Sequence, residues 1–275
     1  MRFDWQRWKL PALTATWAML LIVVGILPAR QCVRPTVTPA GNHSAHELQH
    51  VASPPDEACV VVPYKGFSIL FRPDWHMARC ATYELTAGET LGELQREQSF
   101  ATDAQVPGCT NANAVAGSGF DRGHLVPAGD LRWDSIAMRE SFLMTNVCPQ
   151  NRALNKGGWS RLEEKLREWA RRDTAIIVIT GPVVSSPLRR TAGGMVIPNA
   201  FFKVVLAHKV RPMRAIAFVY PNEAADGPLV DYAVTVDSVE RLSGLRFFMC
   251  LPQNERQRLV TRCDLDPWLR SQAAR

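Results

Sequence analysis

Hydrophobic positions along the chain fall into three kinds of run. Between Trp159 and Arg172 the apolar residues Trp159, Leu162, Leu166, Trp169 and Ala170 recur at steps of three, four, three and one. Arg161, Glu164, Lys165, Glu168 and Arg171 occupy the opposite side. That spacing predicts an amphipathic helix, because 3.6 residues per turn bring those positions onto one face. Val236–Leu242 predicts a second helix. The next kind is short and rich in β-branched residues: Val60–Val62, Phe67–Phe71, Ala175–Thr180, Phe201–Ala207 and Ala215–Tyr220. These predict strands, the third closed by Gly181-Pro182. Strands and helices intermingle without a strict βαβ alternation, which favours an α+β fold.

The remaining kind occurs once. Residues 10–29 are 20 positions without a charge, preceded by Arg2, Arg7 and Lys9 against Asp4. A basic segment followed by an apolar one is an export signal, and 20 residues can also just span a bilayer. The expectation for 1–29 is therefore a signal peptide or a retained signal anchor. Both place the remainder outside the cytoplasm, either secreted or on the periplasmic face of the inner membrane. A retained anchor would give the chain a membrane contact through residues 10–29. Residues 30–56 are rich in Pro, Ala, Ser and His, and predict a flexible linker. Residues 57–275 remain for one catalytic or binding domain.

Composition narrows this little further. With 275 residues, 47 % hydrophobic and 21 % charged, the chain is globular; disorder, collagen and coiled coil are excluded for its bulk. The net charge is +6, but residues 1–29 hold three bases and one acid, so the rest has 29 bases against 25 acids and carries only +4. Basicity is thus a weak clue to an anionic partner. Of seven cysteines, none forms a C-x-x-C pair, which argues against structural zinc. In an exported protein the six beyond Cys32 predict up to three disulfides. Chain neighbours Cys59–Cys80 and Cys250–Cys263 are the expected pairs.

Six histidines are candidates for chemistry. His46-Glu47-Leu48-Gln49-His50 matches H-E-x-x-H, the zinc-protease helix, but lies in the predicted linker with no room for a preceding sheet. His208, at a strand end, reads as structural, and His76 gives no constellation. His124 stands in Asp121-Arg122-Gly123-His124. An imidazole can take a proton from water near neutral pH, and a guanidinium can grip phosphate oxygens. On spacing alone a satisfied core histidine fits equally well. Downstream, Asn155 can be an N-cap, or a neutral oxygen ligand for a hard cation. Glu163 and Arg167 can be an exposed i,i+4 ion pair. Cys148, between Asn146 and Pro149, is a poor nucleophile if oxidised and reads as structural.

Taken together, three segments resemble the DNA/RNA non-specific endonuclease family, with its ββα-metal active site: FDRGHLVPAGD, FLMTNVCPQ and LNKGGWSRLEEKLR. TGPVV, VIPNAFFKVVL and VDSVERLSGLRFF extend the likeness, so that it covers roughly residues 59–248. The resemblance implies a mainly antiparallel sheet with packed helices, and hydrolysis of DNA and RNA to 5′-phosphate and 3′-hydroxyl ends. It implies His124 as general base and Asn155 as the single protein ligand of one Mg2+, with Mn2+ as the alternative. Glu163 would orient a metal-bound water, Arg122 and Arg167 would neutralise phosphate charge, and Asp121 and Asn146 would position His124. Nucleic acid would be gripped through phosphates, and a homodimer is compatible with the family. The chain departs from the family pattern at Glu84, where many members carry Arg after the Tyr. Arg79 is the expected substitute, or else the site has one cation fewer. A binding module with a degenerate site is the alternative of another class; the filled motif positions argue against it.

Overall fold

The computed structural model describes residues 43–54 and 58–269. The helical and extended segments, in chain order, begin with α1 (Ala45–Gln49), β1 (Val60–Pro63), β2 (Ser68–Arg72), β3 (Met77–Thr86) and β4 (Asp121–His124). Then come α2 (Ser135–Ser141), β5 (Val147–Gln150), α3 (Arg152–Lys156), α4 (Gly158–Asp173) and β6 (Ala175–Val183). The chain continues with β7 (Ala200–Ala207), β8 (Arg214–Pro221), β9 (Ala233–Val234), α5 (Val236–Ser243), α6 (Gln253–Thr261) and α7 (Asp266–Leu269). Seven strands form one antiparallel sheet in the order β1-β2-β3-β6-β7-β8-β9. The pair β4–β5 stands apart from it. The α+β expectation holds.

The centre of the sheet is covered on both faces. Along β6, Ile176 and Val178 join one apolar cluster while Ile177 and Ile179 join another. Successive strand residues point to opposite faces, so a strand covered twice is apolar throughout instead of alternating. This is why AIIVIT reads as an unbroken run. On one face α4 packs Trp159, Leu162, Leu166 and Trp169 against residues including Phe201, Val205 and Phe218. On the other lie Leu48 of α1, Val236 and Val239 of α5, and Leu259 and Val260 of α6.

Close approach of α4 depends on its first residue. A Cβ at Gly158 would fall 2.2 Å from the Ala225 carbonyl oxygen and 2.9 Å from the Tyr220 ring. Any other residue there would push the helix start off β8 and the loop after it.

Part of the expected linker is corrected. Ser44 Oγ accepts from Glu47 N at 3.2 Å, and Glu47 Oε2 accepts from Ser44 N at 2.8 Å, which makes a capping box that starts α1. Leu48 is 1 % exposed, and Ala52 bridges Arg246 in an antiparallel β-contact. Leu48, with Ala45 and Val51 partly buried beside it, docks the segment, and the cap satisfies the helix start. The same geometry removes the zinc-protease alternative: α1 has five residues, Glu47 is engaged in the cap, and His46 and His50 are exposed.

The expected disulfides are also absent from the structure. Cys80, Cys109, Cys148, Cys250 and Cys263 carry free thiols, so neither Cys59–Cys80 nor Cys250–Cys263 is joined. Cys80 and Cys148 are fully buried among apolar side chains, and burial holds both thiols far above the usual range. Cys148 is therefore no thiolate nucleophile. Among the described residues no helix is long and apolar enough to cross a membrane. The expected signal or anchor at 1–29 and residues 30–42 of the expected linker lie outside the described residues.

If α1 belongs to the folded domain, Leu48→Ala should cost about 2–5 kcal/mol of stability. Urea denaturation followed by circular dichroism measures it, and an unchanged midpoint would return the segment to a linker.

Candidate functional site

β4 and β5 pair so that Asp121 faces Gln150, Gly123 faces Cys148 and His124 faces Val147. Gly123 has no room for a side chain, since a Cβ would lie 2.3 Å from Gln150 Oε1. Directly after β4 the backbone is clamped by Asn146, which is completely buried. Its Oδ1 accepts from Val126 N at 3.0 Å, and its Nδ2 donates to the carbonyls of Val126 and Ser141, both at 2.9 Å. Leu125 N donates to the Asn146 carbonyl at 3.0 Å. One buried amide thus fixes the chain two residues beyond His124, where an unfixed polar group would be costly.

The His124 ring sits in an aromatic cage. Phe100 lies 5.1 Å away between centroids and Phe142 lies 4.8 Å away, edge-on. Nε2 is enclosed and has no hydrogen-bond partner. Burial, with a smaller contribution from the nearby Arg96 charge, lowers the imidazole pKa to about 3. Both effects favour the neutral ring, the form in which a ring nitrogen is free to accept a proton. Arg122 is exposed, stacks its guanidinium 4.8 Å from the Phe100 centroid, and donates to the Ala112 carbonyl at 3.1 Å.

The other end of β4 meets α3. Asn151 caps that helix, its Oδ1 accepting from Ala153 N at 2.9 Å and Leu154 N at 3.2 Å. The capping role open to Asn155 is thus already filled. Asn155, half-buried, donates from Nδ2 to Asp121 Oδ2 at 3.2 Å, which leaves its Oδ1 for another partner. Arg152 Nη1 is 3.9 Å from Asp121 Oδ1. Asn222 ties this unit to the main sheet by accepting from Asn151 N at 2.7 Å and donating to the carbonyls of Pro149 and Pro198.

α4 supplies Glu163 and Arg167, and they are not the exposed pair that the i,i+4 spacing allows. Arg167 Nη1 donates to Asp130 Oδ1 at 2.8 Å, while Tyr83 OH donates to Asp130 Oδ2 at 2.8 Å. Asp130 has no exposed side-chain surface, and burial pushes its carboxyl above the usual range. Glu163 lies 3.8 Å from Lys203 Nζ. Burial holds its carboxyl well above the usual carboxylate range, against the opposing pull of Lys203.

Glu84 does not enter this site. Tyr83 points to the α4 face, so Glu84 points to the other, where its Oε1 is 2.9 Å from His208 Nε2. Arg79 is buried, with its guanidinium 5.1 Å from the Trp75 centroid, and its Nη2 lies 3.3 Å from where a Cβ of Gly244 would stand. The additional cation near His124 and Glu163 is Arg96, which lies 5.0 Å from the Phe142 centroid and whose charge acts on both groups. Sequence reading missed Arg96 because Gly92–Ser99 is an irregular polar stretch with no periodicity. It missed Asp130, Lys203 and Gln150 because each lies in a strand or turn whose pattern reads as core.

With its Nδ2 engaged by Asp121, Asn155 presents a neutral amide oxygen, a donor that suits a hard divalent cation. Among the described residues no group of three or more His, Cys, Asp or Glu could hold a metal ion.

Comparisons with known proteins place the chain in a family. Residues 44–254 match the family model described as DNA/RNA non-specific endonuclease. The mitochondrial nuclease EXOG of Xenopus laevis is 31 % identical over 224 residues, covering 74 % of this chain and 62 % of its own. Human mitochondrial endonuclease G is 35 % identical over 172 residues, covering 56 % of this chain and 57 % of its own. Against the EXOG proteins of Xenopus laevis, Mus musculus and Homo sapiens, this chain spans 60 to 62 % of their length. A crystal structure of an EndoG/EndoGI complex shares the fold, with a TM-score of 0.68 at 24 % identity, over 73 % of this chain and 89 % of that one. The antiparallel sheet, the β4–β5–α4 unit and the family match over 44–254 together make this chain a member of the DNA/RNA non-specific endonuclease family.

Proposed function

We propose that this chain is a metal-dependent endonuclease that hydrolyses phosphodiester bonds of DNA and RNA without regard to the sugar. The observation that carries the reading is His124: an imidazole kept neutral in an apolar cage, flanked by two arginines, on a strand whose far end is hydrogen-bonded to Asn155. Neutral imidazole beside guanidinium is the pairing that hydrolysis of an anionic diester needs.

In this mechanism His124 takes a proton from the water that attacks phosphorus. Its Nε2 is enclosed, so the proton arrives at Nδ1. Arg122, Arg96 and Arg167 bring positive charge to the phosphate, with Arg167 held in place by Asp130 and Tyr83. Asn155 would hold Mg2+, or Mn2+ in its place, through Oδ1, and Glu163 would orient water bound to it. The cation, when bound, supplies charge to the scissile phosphate and the leaving 3′ oxygen. Asp121 sets the Asn155 side chain, and Asn146 sets the backbone beside His124. Products would carry 5′-phosphate and 3′-hydroxyl ends. Contacts to phosphate carry no base information, which suits cleavage of both nucleic acids. Export through residues 1–29, to the periplasmic face of the inner membrane or beyond, remains part of this proposal, as does a homodimer.

His124→Ala should lower Mg2+-dependent cleavage of plasmid DNA and of RNA by about 100-fold or more while circular dichroism is unchanged. Full activity in that variant would refute the base. Asn155→Ala should lose activity that excess Mg2+ restores only in part; normal activity of the wild type in EDTA would refute the metal site.

The pH dependence has a definite sign. Glu163 must be ionised to work, and its pKa is raised, so activity should fall as pH drops through a value above the usual carboxylate range. His124 stays neutral down to about 3 and should not limit that side of the profile. In Glu163→Gln the acid limb should disappear at a lower overall rate. A limb that persists unchanged in Glu163→Gln, measured as kcat/KM against pH, would contradict the assignment.

A further inference from the structure

Strand β7 reads AFFKVVLA, and Lys203 is its single charged residue. The side chain is 0 % exposed. Phe201 and Val205, two residues to either side, face α4, and strand alternation turns Lys203 the same way. There Nζ donates to the Leu125 carbonyl at 3.1 Å and to Thr180 Oγ1 at 3.4 Å. It lies 3.8 Å from Glu163 Oε1 and 4.3 Å from the Trp159 ring centroid. A buried ammonium is costly to desolvate, and an apolar side chain of the same length would fill the space without that cost. Lys203 instead joins three elements: the residue after His124, the helix bearing Glu163, and β6.

The charges around Glu163 single out Lys203 further. Facing it are Lys203 from β7, Arg167 from its own helix, Asp130 from the turn after β4, and Arg96 from the 92–99 segment. Arg167 is committed to Asp130 at 2.8 Å. Asp130 opposes ionisation of Glu163, and Arg96 is exposed and rests over Phe142. Lys203 is the fully enclosed cation among them.

We propose that Lys203 is a positioning residue of the nuclease site: its enclosed ammonium, 3.8 Å from Glu163 Oε1, holds that carboxylate in place, and its bond to the Leu125 carbonyl fixes the backbone that follows His124. This rests on the endonuclease reading above. Lys203 is fully enclosed, so it acts through Glu163 and the Leu125 carbonyl.

The test uses the full chain with Lys203→Met, Lys203→Arg, Glu163→Gln and the double variant Lys203→Met/Glu163→Gln. In metal-free protein labelled with 13C at glutamate carboxyls, Glu163→Gln identifies the Glu163 resonance. Its titration midpoint should rise by about one pH unit or more in Lys203→Met and stay near wild type in Lys203→Arg. An equal midpoint in wild type and Lys203→Met would overturn the proposal. With saturating Mg2+ at pH 7, Lys203→Met should cleave plasmid about 10- to 100-fold more slowly and recover as pH is raised. In the Glu163→Gln background the same substitution should cause little further loss; a full additional loss there would show that Lys203 acts elsewhere. That comparison, with Lys203→Arg, decides the matter even if Lys203→Met alone fails to fold. Wild type that titrates as expected but cleaves neither DNA nor RNA would overturn the endonuclease reading, and with it the place of Lys203 in a nuclease site, while leaving the Lys203–Glu163 coupling measured.

Discussion

The seating of α4 on the sheet governs most of the site. Trp159, Leu162, Leu166 and Trp169 fill one face of the helix and meet apolar residues of the sheet, including Phe201, Val205 and Phe218. Each such side chain contributes on the order of 1.5–3 kcal/mol when fully buried, far more than any surface ion pair. With those four positions fixed, Glu163 and Arg167 have no freedom of placement. They flank the apolar stripe and emerge between the sheet and the β4–β5 pair. Gly158 lets the helix begin close enough for this to happen. The apolar contact supplies the energy, and the charged residues are carried to their places by it.

What they are carried into is a largely buried cluster of charges that must balance one another. Asp130 is satisfied by Arg167 and Tyr83, and Glu163 is faced by Lys203. At an effective dielectric of about 20, two unit charges 3.8 Å apart attract by about 4 kcal/mol. Removing each ion from water costs several kcal/mol, so such a pair adds little to stability. Its consequence is chemical. A carboxylate in this pocket responds to each neighbouring cation, and its ionisation falls in a range where pH and local charge decide it. His124 obeys the same physics with the opposite sign: burial and the Arg96 charge both disfavour the imidazolium, which favours the unprotonated ring.

Elsewhere the fold was legible where a local rule and burial pointed the same way. The run Ala175–Thr180 falls in a strand because both faces are covered, and Trp159–Arg172 falls in a helix because its apolar stripe is in register with one turn geometry. The segment around Leu48 was misjudged because its composition is polar while its cap and one leucine are not. Glu84 was read as a gap in the site because position along the sequence does not say which face a strand presents. The disulfide expectation follows from cysteine number and expected export; the structure keeps Cys80 and Cys148 in apolar clusters, where thiols behave as small hydrophobic groups.

By itself the sequence determined the fold class, the family and the block that carries His124, Asn155, Glu163 and Arg167, because these lie within or beside short motifs and one periodic helix. Tertiary structure alone decided which charges meet. Arg96 lies 28 positions before His124 and Lys203 lies 40 after Glu163, and nothing in local spacing relates them. Their pairing follows from strand order and helix packing, which place side chains in one pocket by burying apolar surface elsewhere. Electrostatic interactions of this kind depend on distance and burial in space, and neither is written in the distance along the chain.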